Sequence, residues 1–190
     1  MGRGAKPAQH DKRRLRTQVL DQLRTQQEEV RRRKSETIQR RLFRLAVFRR
    51  AKLVCCYVSL PYEVETWRLM TRMLETGKRV AVPVVQGDAL ALSELRDPER
   101  DLARGAFGVW EPVPKRRRPV AVDAVDLVLV PALAFDRAGH RVGHGHGYFD
   151  RLLARLPDRT PTIGLCFDFQ LRDRLPIQPH DRAVQTVLSA

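Results

Sequence analysis

Apolar and polar positions follow two periods along the chain. From Asp11 onward Leu15, Val19, Leu20 and Leu23 recur at helical spacing, with Arg and Gln between them, which predicts an amphipathic helix. A second helix is predicted over about 35–50, with Ser35 as its cap and Ile38, Leu42, Leu45 and Ala46 as its buried stripe. The triple Arg31-Arg32-Arg33 falls between these helices or at the start of the second. Residues 1–10, small and polar, read as a disordered tail, leaving 11–190 as one domain.

The texture then changes to short apolar runs. Leu53–Ser59, Arg79–Val85, Leu90–Leu95, Leu127–Val130, Thr162–Phe167 and Val184–Leu188 read as strands. Pro83 cannot donate to a ladder, so the second of these is expected to end there or to lie at an edge. Glu65–Glu75 is a helical stretch that stops at Gly77, and Tyr148–Leu156 opens another helix. Residues 96–120 are loop-rich. Strand and helix alternate, which predicts an α/β domain of three layers, Rossmann-like, with a mostly parallel sheet flanked by helices. In such a sheet the ligand cleft lies at the carboxyl ends of the strands.

Composition narrows the class. The chain has 190 residues, 43% hydrophobic, enough for one core. Its three cysteines cannot close a disulfide framework, and Cys55 and Cys56 are adjacent, so a reducing cytoplasm is the expected setting. These two and Cys166 lie in apolar runs and read as buried and inert. No apolar run is long enough to span a bilayer, and no membrane partner is expected. The formal net charge of +14 is unevenly spread. Residues 1–52 hold 17 Lys and Arg against 5 Asp and Glu, and the remainder holds 19 against 17. A basic N-terminal quarter can contact nucleic acid through phosphates. Solvated helices explain it equally well, and with 6% aromatic residues no aromatic-interleaved basic motif supports nucleic acid, which is not favoured.

The chemistry concentrates in Phe135–Arg151, which follows a buried strand and leads into a helix. Gly143, Gly145 and Gly147 alternate with Val142, His144, His146 and Tyr148. Alternating glycines let backbone N–H groups approach an anion, and the following helix start adds partial positive charge, an arrangement suited to phosphate. A tight turn needing positive φ would use the same glycines. The spacing is neither the dinucleotide fingerprint nor the P-loop. His140, His144 and His146 could offer three imidazoles to zinc, but the glycine alternation suits phosphate better.

The stretch Arg141-Val142-Gly143-His144-Gly145-His146-Gly147-Tyr148-Phe149-Asp150 resembles the glycine-rich signature of the 5-formyltetrahydrofolate cyclo-ligase family, also called methenyltetrahydrofolate synthetases. Four further motifs agree in order: Lys12 with Arg16 on the first helix, Ser59 followed by Glu63-Val64-Glu65-Thr66, Gly108 to Glu111-Pro112, and Pro176 to Asp181. The resemblance runs from about residue 11 to the end. It implies that ATP, Mg²⁺ and 5-formyltetrahydrofolate give 5,10-methenyltetrahydrofolate, ADP and phosphate. It further implies that Lys12, Arg16 and the loop from Arg141 through Phe149 bind ATP, and that Arg141 and His146 serve catalysis. Asp150 and Asp181 would hold the metal, and Val58 and Glu63 the folate. A monomer is expected. The chain departs from the family at His146, where Lys, Gly or Ala is common, and at Gln185, where many members carry Asp. A rival reading is therefore a protein that keeps the fold and binds nucleotide or nucleic acid without turnover.

Overall fold

The computed structural model describes residues 5–105, 109–178 and 181–190, with side chains from residue 9. Three helices come first: α1 (Ala5–Thr25), α2 (Glu28–Arg44) and α3 (Ala46–Arg50). Helix α1 takes in residues 5–10, which the sequence reads as part of a disordered tail; residues 1–4 of that expected tail lie outside the described residues. The triple arginine lies inside α2, where Arg32 pairs with Glu29 and Glu36 at 2.7 and 2.8 Å. Ser35 does not cap this helix. It is buried in its middle, and its hydroxyl accepts a 3.1 Å hydrogen bond from the Glu65 backbone. The helix breaks at Leu45, whose extended backbone separates α2 from α3.

The main sheet has seven strands: β1 (Leu53–Cys55), β2 (Arg79–Gln86), β3 (Ala89–Leu95), β6 (Pro119–Val120), β7 (Leu127–Val130), β10 (Thr162–Cys166) and β12 (Thr186–Ser189). Their order is β12-β10-β7-β1-β2-β3-β6. The first five of that order run parallel, and β3 and β6 add an antiparallel edge. Between α5 (Pro98–Asp101) and β6, β4 (Leu102–Arg104) and β5 (Trp110–Pro112) form a hairpin in the loop-rich stretch. A small sheet joins β8 (Ala134–Asp136), β9 (Arg141–Val142) and β11 (Leu171–Arg172).

The central strands read as continuous apolar runs because both faces are covered. Val54, Val80, Leu127, Leu129, Ile163 and Leu165 turn to one side, against α1–α3 and α4 (Trp67–Glu75). Leu53, Cys55, Ala81, Val128, Val130 and Cys166 turn to the other, against Leu152 of α6 (Tyr148–Leu153) and Val122 and Val125. These are the three expected layers. Burial pushes the Cys55 and Cys166 thiols up to about 12 and holds Cys56 well above the ordinary thiol range.

Among the strand boundaries that differ from expectation, those of β1 and β2 have a clear physical reason. Strand β2 continues through Pro83 to Gln86. Arg79 donates to the Lys52 carbonyl, and Ala81 accepts from Cys56, so odd residues of β2 point their backbone groups at β1. Pro83 is the next of that set, and β1 has already ended at Cys55, so no donor is missed. Strand β1 is short because the chain turns away early: Tyr57–Thr66 forms a tight loop closed by Thr66 Oγ1 donating to the Tyr57 carbonyl at 2.7 Å, and by Ser59 and Thr66 exchanging hydrogen bonds of 2.9 and 3.1 Å.

Candidate active site

A cleft of about 770 Å³ opens at the carboxyl ends of β1 and β7, where neighbouring strands leave in opposite directions through the sheet. Its first wall comes from α1. Residues 12, 16, 19 and 23 share one helix face: Val19 and Leu23 are fully buried in the core, and one and two turns earlier the same stripe carries Lys12 and Arg16. The stripe thus passes from core to cleft and changes from apolar to basic. Lys12 Nζ lies 2.5 Å from Asp181 Oδ2, with both side chains buried. Arg16 Nε donates to the Gly143 carbonyl at 2.9 Å.

The glycine-rich loop forms the floor. Buried Asp136 anchors the turn before it, accepting from the backbones of Ala138, His140 and Leu175 and lying 3.1 Å from His140 Nδ1. Gly139 in that turn has φ +85°, and a Cβ there would strike the Val184 carbonyl. Arg141 follows on β9, with its side chain 3% exposed. It donates to Asp150 Oδ1 at 2.7 Å and to the Arg182 carbonyl, so its guanidinium clamps the start of α6 to the C-terminal segment. Burial lowers its pKa, against the pull of Asp150 and Asp181. Gly145, at φ +110°, passes over the Arg16 guanidinium.

The three histidines go separate ways. His140 faces Asp136; His144 Nε2 lies 3.4 Å from Glu63 Oε1; the exposed His146 ring stacks on Tyr148 at 5.8 Å. Among the described residues no group of three or more metal-ligating side chains forms, so the loop does not gather its imidazoles for zinc. A divalent ion on phosphate has a different need, namely one or two hard oxygens. Asp150 gives Oδ1 to Arg141 and to the Arg182 backbone, and no hydrogen bond from the described residues reaches Oδ2. Asp181 Oδ2 accepts from Lys12 and the Gln178 backbone. This donor set fits a Mg²⁺ ion completed by phosphate oxygens and water.

Opposite the loop, Val58 and Glu63 line the cleft from the segment after β1. Val58 lies beyond the end of that strand. Every candidate residue from Lys12 to Asp181, including all ten from Arg141 through Asp150, borders this one cleft. The sequence did not single out Pro83, Val85 and Leu90 on the β2–β3 hairpin, or Pro131 after β7, which complete its apolar wall. They carry no reactive group, so only their packing reveals them. Trp110 packs on Trp67 with ring centroids 5.1 Å apart, and it also borders the cleft. Gly108 of its motif lies outside the described residues. Gln185, the second departure, bonds Thr162 of β10 through side chain and backbone and so ties the edge strand to its neighbour.

The chain is similar to known proteins over most of its length. The chain is 35% identical over 179 residues to the 5-formyltetrahydrofolate cyclo-ligase of Mycolicibacterium smegmatis, covering 92% of this chain and 91% of that protein. It is 29% identical to the Escherichia coli K12 protein of the same name over 73% of this chain and 78% of that one. The NMR structure of 5,10-methenyltetrahydrofolate synthetase from Aquifex aeolicus superimposes with a TM-score of 0.83 at 35% identity, covering 94% of this chain and 89% of that chain. The Mycoplasma pneumoniae synthetase shares the fold, with a TM-score of 0.76 at 21% identity over 94% of this chain and 98% of that chain. The model of the 5-formyltetrahydrofolate cyclo-ligase family matches residues 8–190, and the chain belongs to that family.

Proposed function

We propose that this protein converts 5-formyltetrahydrofolate to 5,10-methenyltetrahydrofolate at the expense of ATP, releasing ADP and phosphate. The observation that carries this reading is convergence. Lys12, Glu63, the Arg141–Asp150 loop and Asp181, spread over 170 positions, border a single cleft in a chain of this family.

In this reaction the formyl oxygen attacks the terminal phosphorus of ATP and ADP departs. The neighbouring folate nitrogen then attacks the activated carbon, and phosphate leaves. Such transfer needs positioning and charge neutralisation more than covalent help. Lys12 and Arg16 supply cationic charge from one helix face, and the loop backbone of residues 142–149 lies along the phosphates. His146 borders the cleft from within the loop, and in this reading its imidazole meets the transferring group. Arg141 acts as a positioning residue, holding Asp150 rather than reaching the phosphates. Asp150 and Asp181 would hold Mg²⁺, which when bound neutralises phosphate charge. Glu63 and Val58 hold the folate. In this reading the enzyme works as a monomer in the cytoplasm.

The test is spectrophotometric. Protein mixed with 5-formyltetrahydrofolate, Mg²⁺ and ATP should raise the near-ultraviolet absorbance of methenyltetrahydrofolate, and Lys12→Ala and Asp150→Ala should abolish the rise. Nucleotide binding without that rise would instead favour a family member that has lost turnover.

A further inference from the structure

One contact joins the two halves of the cleft. Glu63 is buried on the loop after β1, and its turn pins one carboxylate oxygen: Leu60 N donates to Oε2 at 2.9 Å, while Glu63 N donates back to the Leu60 carbonyl at 3.0 Å. The other oxygen, Oε1, faces His144 Nε2 at 3.4 Å, long for a hydrogen bond. His144 sits 81 positions away in sequence, between Gly143 and Gly145. That loop is rich in glycine and so has much conformational entropy to lose on ordering. An anion gripped by its backbone N–H groups fixes its course. The side chain it carries toward Glu63 is then fixed as well.

We propose that His144 is a positioning residue that couples the nucleotide and folate sites. Phosphates bound on the loop set its imidazole against Glu63 Oε1, shorten the contact, and so hold the carboxylate in the orientation that receives folate. Binding linkage is reciprocal, so folate bound at Glu63 tightens nucleotide by the same factor. The proposal rests on the placement of folate at Glu63. An imidazole that instead touched phosphate directly would change nucleotide affinity itself, and that difference separates the two roles.

Calorimetric titration of the full chain with 5-formyltetrahydrofolate is the test, alone and with Mg²⁺ and a saturating non-hydrolysable ATP analogue. In the wild type the nucleotide should tighten folate binding roughly 5-fold or more, within the usual span of coupling between sites. His144→Ala should still bind the analogue through the loop backbone, while its coupling factor falls toward one. His144→Gln, which keeps an N–H donor, should restore part of the coupling. The proposal is overturned if the wild type shows no tightening, if His144→Ala keeps the wild-type factor, or if it loses nucleotide affinity outright. A wild type that binds no 5-formyltetrahydrofolate in either condition overturns the folate reading, and the coupling with it. Because His144 is exposed, both variants should melt near the wild type.

Discussion

Lys12 Nζ and Asp181 Oδ2 meet at 2.5 Å, with side chains 6% and 11% exposed, and so lock the first helix to the C-terminal segment across the cleft. A buried pair gains little net energy over a matched apolar pair, but removing one partner strands the other charge. Lys12→Ala should therefore destabilise the fold by about 3–5 kcal/mol and abolish turnover. The double variant Lys12→Met with Asp181→Asn should recover most of the stability and none of the activity. Denaturant unfolding beside the absorbance assay reads both. Recovery of activity in the double variant would remove Lys12 and Asp181 from the reaction.

The loop glycines should separate by backbone geometry. At Gly145, φ is +110°, a conformation that L side chains rarely adopt, whereas a Cβ at Gly143 meets nothing within 4 Å. Gly145→Ala should cost about 1–3 kcal/mol of stability and impair ATP use. Gly143→Ala should leave the melting temperature unchanged and raise KM for ATP alone, since only a bound phosphate would crowd the new methyl group. An unchanged KM would show that the backbone at Gly143 does not approach the nucleotide.

Asp101 anchors the base of the β4–β5 hairpin, which brings Trp110 to the cleft. Burial raises its pKa, but hydrogen bonds from Arg118 and from the Arg96 and Asp97 backbones outweigh this, and the net shift is downward. A carboxyl depressed in the folded state stabilises fully above its unfolded value of about 3.9, and that contribution drains away as pH falls through the folded value. Asp101→Asn should therefore be less stable than wild type by about 1–3 kcal/mol at neutral pH. The gap should close as pH drops below the unfolded value. Urea unfolding at neutral and strongly acidic pH checks this; a constant gap would mean that the ionised form is not what matters.

The three thiols should resist alkylation in the native state. Cys55, Cys56 and Cys166 are all fully buried, and burial raises their pKa values far above neutrality. At pH 8 a thiol reagent should label none of the three until denaturant unfolds the sheet, after which all three should react. Rapid native labelling would place a cysteine at the surface.

Much of this molecule is legible in its residues. The apolar runs at 79–85, 90–95 and 127–130 become strands, and the last is apolar throughout because it is buried on both faces. The glycines at 145 and 147 mark a loop of special backbone course because their positive φ is one that L side chains rarely adopt. The basic residues Lys12 and Arg16 were legible as a pair because a helix places i and i+4 on one face. Local rules fail where distant segments decide. Ser35 has the side chain of a cap, yet it packs inside α2 because Glu65 offers it a donor from another element. Pro83 stays within a strand because β1 ends before its missing donor would be needed. The opposed roles of the three histidines depend on Asp136, Glu63 and Tyr148, of which only Glu63 lies far away in sequence, and that one contact no spacing rule reveals. Sequence alone therefore determined the layers, the loop and the chemical type of each site residue, since these follow from periodicity and side-chain chemistry. The tertiary structure decided which charges are paired, which face the cleft, and that His144 of the loop meets Glu63, because such facts depend on contacts between segments that no local pattern encodes.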